Sequence, residues 1–345
     1  MKRCFIPLVV VLLIAGTSCK KDRQANQPPI TPPAEQKWVV TTVAGNGLAY
    51  FKDGPVSMAE FKFPQDVAVT PDGIIYVADG LNHRIRKIAG GQVSTFAGYE
   101  RADTISGIGA AAGFAIPIRV VPDISGNLYT LDVDDFRVRK INSAGLVTVA
   151  AGSGTRGFAD GRAETAKFGE SLGIVTDNEG NIYVSDWENK RIRKISVAGE
   201  VSTIAGPMQF GPGEMTIDQQ GNLYVVDGLN FIIRKITPGG EVSIFAGSGI
   251  PGDKDGNAQE AQFSINMRDI VADEQGNLYL ADDNRIRKIT PQGNVSTIAG
   301  SGFGYRDGDG PSAKFSSPNG LGIDRQGNIY VADENNNRIR KISFQ

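Results

Sequence analysis

Short apolar runs recur along this chain, separated by glycine, aspartate and asparagine. The pattern is cleanest near the end: Ile329-Tyr330-Val331-Ala332-Asp333, a polar turn, then Arg338-Ile339-Arg340-Lys341-Ile342. β-Branched and aromatic residues favour extended backbone, and Asp and Asn supply turns, so the unit predicts strand, turn, strand. It occurs six times, with tyrosines at Tyr76, Tyr129, Tyr183, Tyr224, Tyr279 and Tyr330, spaced by 53, 54, 41, 55 and 51. A third run precedes each tyrosine, as in Phe63-Pro64-Gln65-Asp66-Val67-Ala68-Val69. A fourth follows, as at 93–98, and is echoed at 146–152, 201–206, 242–247 and 295–300. Four strands per repeat at this period are the blades of a propeller.

The count closes in one way. A sixth copy of the fourth strand, Trp38 to Gly45, lies before the first blade, and the last blade stops after its third strand at Gln345. The expected fold is all-β: a six-bladed β-propeller with four antiparallel strands (a to d) per blade, closed by residues 38–45 beside 337–344. Pairing the two ends removes two open sheet edges.

Loop lengths say where the surface varies. From each Ala-Gly glycine to the residue opening the next strand a, the links measure 21, 21, 21, 8, 22 and 20. Blade five has the shortest b–c turn, Asp283-Asn284. These links and turns share one face of a propeller, and loop variation on a rigid scaffold is where binding usually lives. The short link at 207–213 predicts a notch in that face between blades three and four.

The N-terminus reads differently. A basic start, an apolar run from Phe5 to Ala15 and small residues before Cys19 resemble a bacterial lipoprotein signal. That resemblance implies a signal at 1–18, a lipidated Cys19, and a protein held in the bacterial cell envelope at the outer membrane. Residues 19–36 read as a polar, proline-containing tether, and 37–345 as the propeller. The two cysteines, Cys4 and Cys19, leave the propeller without a disulfide. A net charge of −2 gives no overall pull toward nucleic acid, and a lone histidine, His83, excludes a multi-histidine metal site.

Tyr-Val-Ala-Asp, Asn-x-Arg-Ile-Arg-Lys-Ile and Phe-x-x-Pro-x-Gly-hydrophobic-x-x-Asp together resemble the NHL-repeat family, over about 38–345. The resemblance implies the propeller and leaves activity open, since the family includes RNA-binding, protein-binding and enzymatic members. Six basic stretches such as Arg84 to Lys87 hold 17 of the 36 Lys and Arg. They recur in every blade, so the reading is structural: each Arg lies between blades and meets a repeat carboxylate, Asp79, Asp132, Asp186, Asp227, Asp282 or Asp333. Those aspartates are expected to cap the b–c turns. The Asp-Gly pairs at 53–54, 160–161, 255–256 and 307–308 are read as turn chemistry.

The residue ten before each tyrosine carries the sharper signal. The family pattern has Gly there, kept as Gly173 and Gly320, but the other blades have Asp66, Arg119, Glu214 and Asp269. Strand a is innermost, so these four should meet at the mouth of the central channel. They suggest a polar ligand site. Asp66, Glu214 and Asp269 would suit Ca²⁺ or another divalent cation. The alternative is a wet, self-neutralised channel. Variable-face candidates are His83, Phe136, Trp187 and Phe231, with Phe210 and Tyr305 in the links; such rings stack on sugars, anchor partners or simply pack between blades.

No Gly-x-Ser-x-Gly, phosphate loop or Ser/His/Asp set appears. The expected function is therefore a non-enzymatic, envelope-anchored binding or scaffold module, monomeric, for a glycan, peptide or protein, with no nucleic acid. The alternative is a metal-assisted hydrolase similar to gluconolactonase-type propellers.

Overall fold

The computed structural model describes residues 36–345. The expected signal, Cys19 and nearly all of the tether lie outside the described residues. Six antiparallel sheets follow one another along the chain. Blade one takes strands a to d from Pro64–Val69, Ile75–Asp79, Arg84–Ala89 and Gln92–Gly98. Blades two to five repeat this order from strands a at Pro117–Pro122, Ser171–Thr176, Met215–Ile217 and Met267–Ala272. Blade six takes Pro318–Ile323, Ile329–Asp333 and Arg338–Phe344, and borrows Trp38–Ala44 as its strand d. Trp38 lies opposite Phe344 and Val40 opposite Ile342. Lys37 and Gln345 exchange backbone hydrogen bonds of 2.7 and 2.9 Å. Each strand a touches strand a of both neighbouring blades, which closes the ring on the expected plan.

The core lies between blades. Alternation along each strand sends apolar side chains to both sheet faces, where they meet the next blade. One cluster joins Tyr279 and Ile286 of blade five to Leu321, Val331 and Ile342 of blade six. Each long link drives a phenylalanine into such a seam: Phe61, Phe114, Phe168, Phe263 and Phe315 are at most 2 % exposed. The short link has no room for this loop, and Phe210 fills the position, buried under the Arg234 guanidinium at 4.4 Å.

Four links do more than connect. Gly54–Pro55, Gly107–Ile108, Gly161–Arg162 and Gly308–Asp309 add a short fifth strand to the outer edge of the blade they enter. An Asp-Gly pair does this work in three of the four, and Ser106-Gly107 in the other. Gly54 has φ 135°, backbone that a side chain rarely adopts. Asp53 is not merely a turn residue. Its carboxylate accepts from Arg86 Nε at 3.2 Å and Nη2 at 2.6 Å, and from the N–H and hydroxyl of Thr95, both at 3.0 Å. Asp160, Asp255 and Asp307 repeat this clamp on Arg193, Arg287 and Arg340.

The basic stretches are thereby absorbed into the scaffold, as their recurrence implied. Arg86, Arg193, Arg287 and Arg340 are fully buried and pair with Asp79, Asp186, Asp282 and Asp333 at 2.6–2.9 Å. Arg84, Arg191 and Arg338 stack over Phe51, Phe158 and Tyr305, each at 4.0 Å. Lys194 and Lys341 extend over Tyr183 and Tyr330 at 5.4 Å.

Most repeat aspartates hold their b–c turns through a side chain, as Asp186, Asp227 and Asp333 do with Asn189, Asn230 and Asn336, and most do a second job as well. Asp79 makes no side-chain cap to a backbone N–H of its own turn. It accepts from Lys62 N–H at 2.8 Å and from the Asn82 side chain at 2.8 Å, so it pins the end of the incoming link to the blade. Asp282 and Asp333 take Ser264 and Ser316 N–H in the same way.

Candidate functional site

Strand a enters each blade from the variable face. A register shift falls between Pro64 and Asp66, between Pro117 and Arg119, and between Met267 and Ile270. Such bulges re-aim side chains. Asp66, Arg119, Glu214 and Asp269 do converge, and they are 2, 6, 9 and 7 % exposed. Arg119 of blade two reaches past blade three to Glu214 of blade four in a bidentate pair, with Nε to Oε2 at 2.7 Å. Asp66 accepts from Val67 N–H at 2.7 Å and from Val120 N–H of blade two at 2.8 Å. Asp269 accepts from Ile270 N–H and from Leu321 N–H of blade six, both at 2.8 Å. The four polar groups therefore staple blade to blade across the axis.

Burial explains their electrostatics. It raises the Asp66 carboxyl well above its ordinary range, helped by the charge of Asp269 and opposed by Arg119. Burial likewise pushes Asp269 up to about 7, with Arg119 opposing and Glu214 adding to the rise. Arg119 loses solvation too, but Glu214, with Asp269 and Asp66 behind it, outweighs that loss and holds the guanidinium charged. Gly320 has a local cause: a Cβ there would collide with the Asp66 side chain and backbone.

The metal reading finds no support in this arrangement. Glu214 is spent on Arg119, and among the described residues no group of three or more His, Cys, Asp or Glu could hold a metal ion. Below the polar cluster the channel is walled by residues such as Val69, Val121, Val175, Ile217 and Ile323, with a volume of about 260 Å³. It leads to a wider space of about 700 Å³ on the opposite face, among the a–b turns. Sequence reasoning missed that opening. Those turns are uniform in length, so no loop variation marks them.

The four variable-face candidates sit on four different blades. His83, Phe136 and Phe231 occupy one equivalent turn position, left-handed with φ 57, 54 and 56°. A His83 ring nitrogen bonds to the Ala115 carbonyl of the next link, which ties blade one to blade two. Phe136 lines a groove of about 110 Å³ between blades two and three, with Asp132 and Glu170. Burial pushes Asp132 up to about 7 there, against the Ala115 and Ile116 N–H groups it accepts from. Trp187 is 39 % exposed and packs its indole on Gly211 of the short link.

More prominent apolar residues on this face drew no attention in the sequence. Leu48, Tyr50, Leu229, Ile250, Ile265 and Phe303 are 59–73 % exposed. Among the described residues, the turns of the opposite face expose only Ile124 and Val197 among large hydrophobics. The short turn of blade five leaves a groove of about 220 Å³, in which Phe303 faces Arg268, Asp283, Asn284 and Asn335.

The NHL repeat model matches residues 61–88 and 315–342. The chain is 26% identical over 321 residues to "Protein SUPPRESSOR OF QUENCHING 1, chloroplastic" of Arabidopsis thaliana, covering 88% of this chain and 27% of that protein. It is 28% identical to NHL repeat-containing protein 2 of Bos taurus, covering 85% of this chain and 40% of that one. It thus spans well under half the length of these curated relatives. Among solved structures, an auxiliary nutrient binding protein from Bacteroides thetaiotaomicron has a TM-score of 0.72 at 20% identity, over 90% of this chain and 77% of that one. A gluconolactonase from Xanthomonas campestris has a TM-score of 0.59 at 11% identity, over 89% of each chain. Likenesses at such identity show the fold alone. This chain is thus a six-bladed β-propeller in which blades one and six carry matched NHL repeats.

Proposed function

We propose that this propeller is a non-enzymatic binding module that engages a glycan, peptide or protein through its variable face. One observation carries the reading: the large exposed apolar side chains gather on the face of the links and b–c turns, beside polar grooves. Apolar side chains gathered on one face, rimmed by polar residues, mark interaction surfaces. The nutrient-binding role of a Bacteroides propeller of this fold is consistent with it. The hydrolase alternative loses ground because the channel carboxylates are engaged by backbone N–H groups and Arg119. The lipoprotein-like start adds an envelope anchor at Cys19, with the propeller presented outside the cytoplasm.

The test is a glycan array and a displayed-peptide library, screened with the mature chain and with a Leu229→Ser/Phe303→Ser double variant. A ligand retained by the native face and lost by the double variant is the expected result. Equal binding by both, or no ligand in either screen, sinks the assignment of this face.

A further inference from the structure

Blade two breaks the arginine clamp. Arg139 is as fully buried as Arg86, Arg193, Arg287 and Arg340. It makes two side-chain hydrogen bonds, to Asp135 at 3.2 Å and to the Ile105 carbonyl at 3.0 Å. Arg86 makes five. The Nε of Arg139 is the one buried side-chain nitrogen or oxygen without a partner among the described residues. A desolvated N–H of a cation with no acceptor is an unfavourable thing for a fold to keep.

The repeat itself shows what is missing. Gly107 pairs with Val147 as Gly54 pairs with Val93, and the Ile105 carbonyl takes Arg139 Nη2 as the Lys52 carbonyl takes Arg86 Nη2. Ser106 therefore stands where Asp53 stands. The threonine that shares the carboxylate, Thr95, is replaced by Val149. Asp135 does not refill the gap. It pairs with Arg137 at 2.6 Å and with Arg139 Nη1, the nitrogen that Asp79 takes in blade one, and leaves Nε without an acceptor beneath the side chains of the edge.

The rim of that gap has changed in step. Ile105, Ile108, Leu146 and Val149 are 53, 58, 40 and 44 % exposed. Their counterparts in blade one are Lys52, Pro55, Gln92 and Thr95; in blade three they are Ala159, Arg162, Glu200 and Thr203. Among the five blades entered by a long link, blade two alone is aliphatic at all four positions; blade four, entered by the short link, has only Ile244 where Thr95 stands. Ile108 lies directly opposite Leu146, and Val149 opposite Arg139. An apolar edge around a guanidinium with a free donor is complementary to one chemistry: an acidic side chain set between aliphatic residues.

We propose that the outer edge of blade two docks a protein segment whose Asp or Glu, flanked by apolar residues, gives Arg139 the carboxylate its own link has lost. The site is separate from the variable-face reading, since Leu229 and Phe303 belong to other blades.

The experiment uses the mature chain, its Ser106→Asp variant, and two probes, acetyl-Val-Glu-Val-amide and its Gln counterpart. Ser106→Asp rebuilds the clamp already present in blades one, three, five and six. It should melt several degrees higher than the native chain. The Glu peptide should raise the native melting temperature and bind at least tenfold more tightly than the Gln peptide. Both effects should vanish in Ser106→Asp. A variant that melts no higher, a Gln peptide that binds as well, or a Glu peptide that binds both chains alike each overturns the proposal. Stabilisation by sodium acetate over equal sodium chloride, without preference for the Glu peptide, marks a small-anion pocket and equally overturns the docking site.

Discussion

Replacing Asp307 with Asn tests the clamp where the ring is sealed. Asp307 accepts from Arg340 Nε at 3.1 Å and Nη2 at 2.6 Å, and from the Thr42 N–H and hydroxyl at 3.1 and 3.0 Å. It thus joins the N-terminal strand to the C-terminal one. Arg340 is fully buried, while the Asp307 side chain is 39 % exposed. Losing one partner of a fully buried ion pair costs ~3–5 kcal/mol. Here water reaches the carboxylate, and Asp333 still pairs with Arg340 at 2.6 Å, so the cost falls to the bottom of that scale or just below it. A loss of about 2–3 kcal/mol follows. At ~2 °C per kcal/mol for a domain somewhat larger than 250 residues, the melting temperature should fall by roughly 4–6 °C. Differential scanning calorimetry measures this. Hydrogen exchange adds location: amides in Trp38–Ala44 should exchange faster, while those of blade three stay unchanged. A variant within 1 °C of the native chain, or one whose faster exchange spreads evenly round the ring, refutes the account of the clamp.

Two further outcomes follow from the channel. Folded Asp269 titrates near 7, above its ordinary 3.8, so the folded state prefers the protonated acid. Its contribution is complete below about pH 4 and is lost as the pH rises through 7, so melting temperature should decline between pH 5 and 8. Asp269→Asn should flatten that decline, and an unchanged pH profile would count against the buried cluster. Gly320→Ala should lower stability by about 1–3 kcal/mol, because its Cβ meets Asp66 and the Gln65 carbonyl; denaturant titration checks it, and a neutral result means the strands a are less tightly apposed.

The architecture was legible because its cause is local and repeated. Tyr76 to Tyr330 mark strands by their own backbone preference, and counting six d strands against five complete blades left one closure. The convergence of Asp66, Arg119, Glu214 and Asp269 was legible for the same reason: equivalent positions of a ring face one axis. What those groups do there was not. Composition allowed a cation site, but whether Glu214 meets a metal or Arg119 depends on reach across the axis, which no spacing encodes. The Asp53 carboxylate was misread in kind, and Asp79 in part: its pairing with Arg86 was expected, its bond to the Lys62 N–H was not. Each bonds a residue from another strand or link, Arg86, Thr95 or Lys62, and turn propensity says nothing about such partners. Leu229 and Phe303 escaped notice because exposure is a property of neighbours.

The two strands sealing blade six are some three hundred positions apart along the chain. Joining them costs loop entropy that shorter-range contacts have not yet repaid, so ring closure should come late in folding, after blades have formed. During synthesis, Trp38–Ala44 emerges early and must wait unpaired for Arg338–Phe344. An early strand without its partner is the segment on which a chaperone has most to protect. With its ends side by side, the ring is also suited to circular permutation: joining Lys37 to Gln345 through a short linker and opening a long link elsewhere should move the seam without changing the blades.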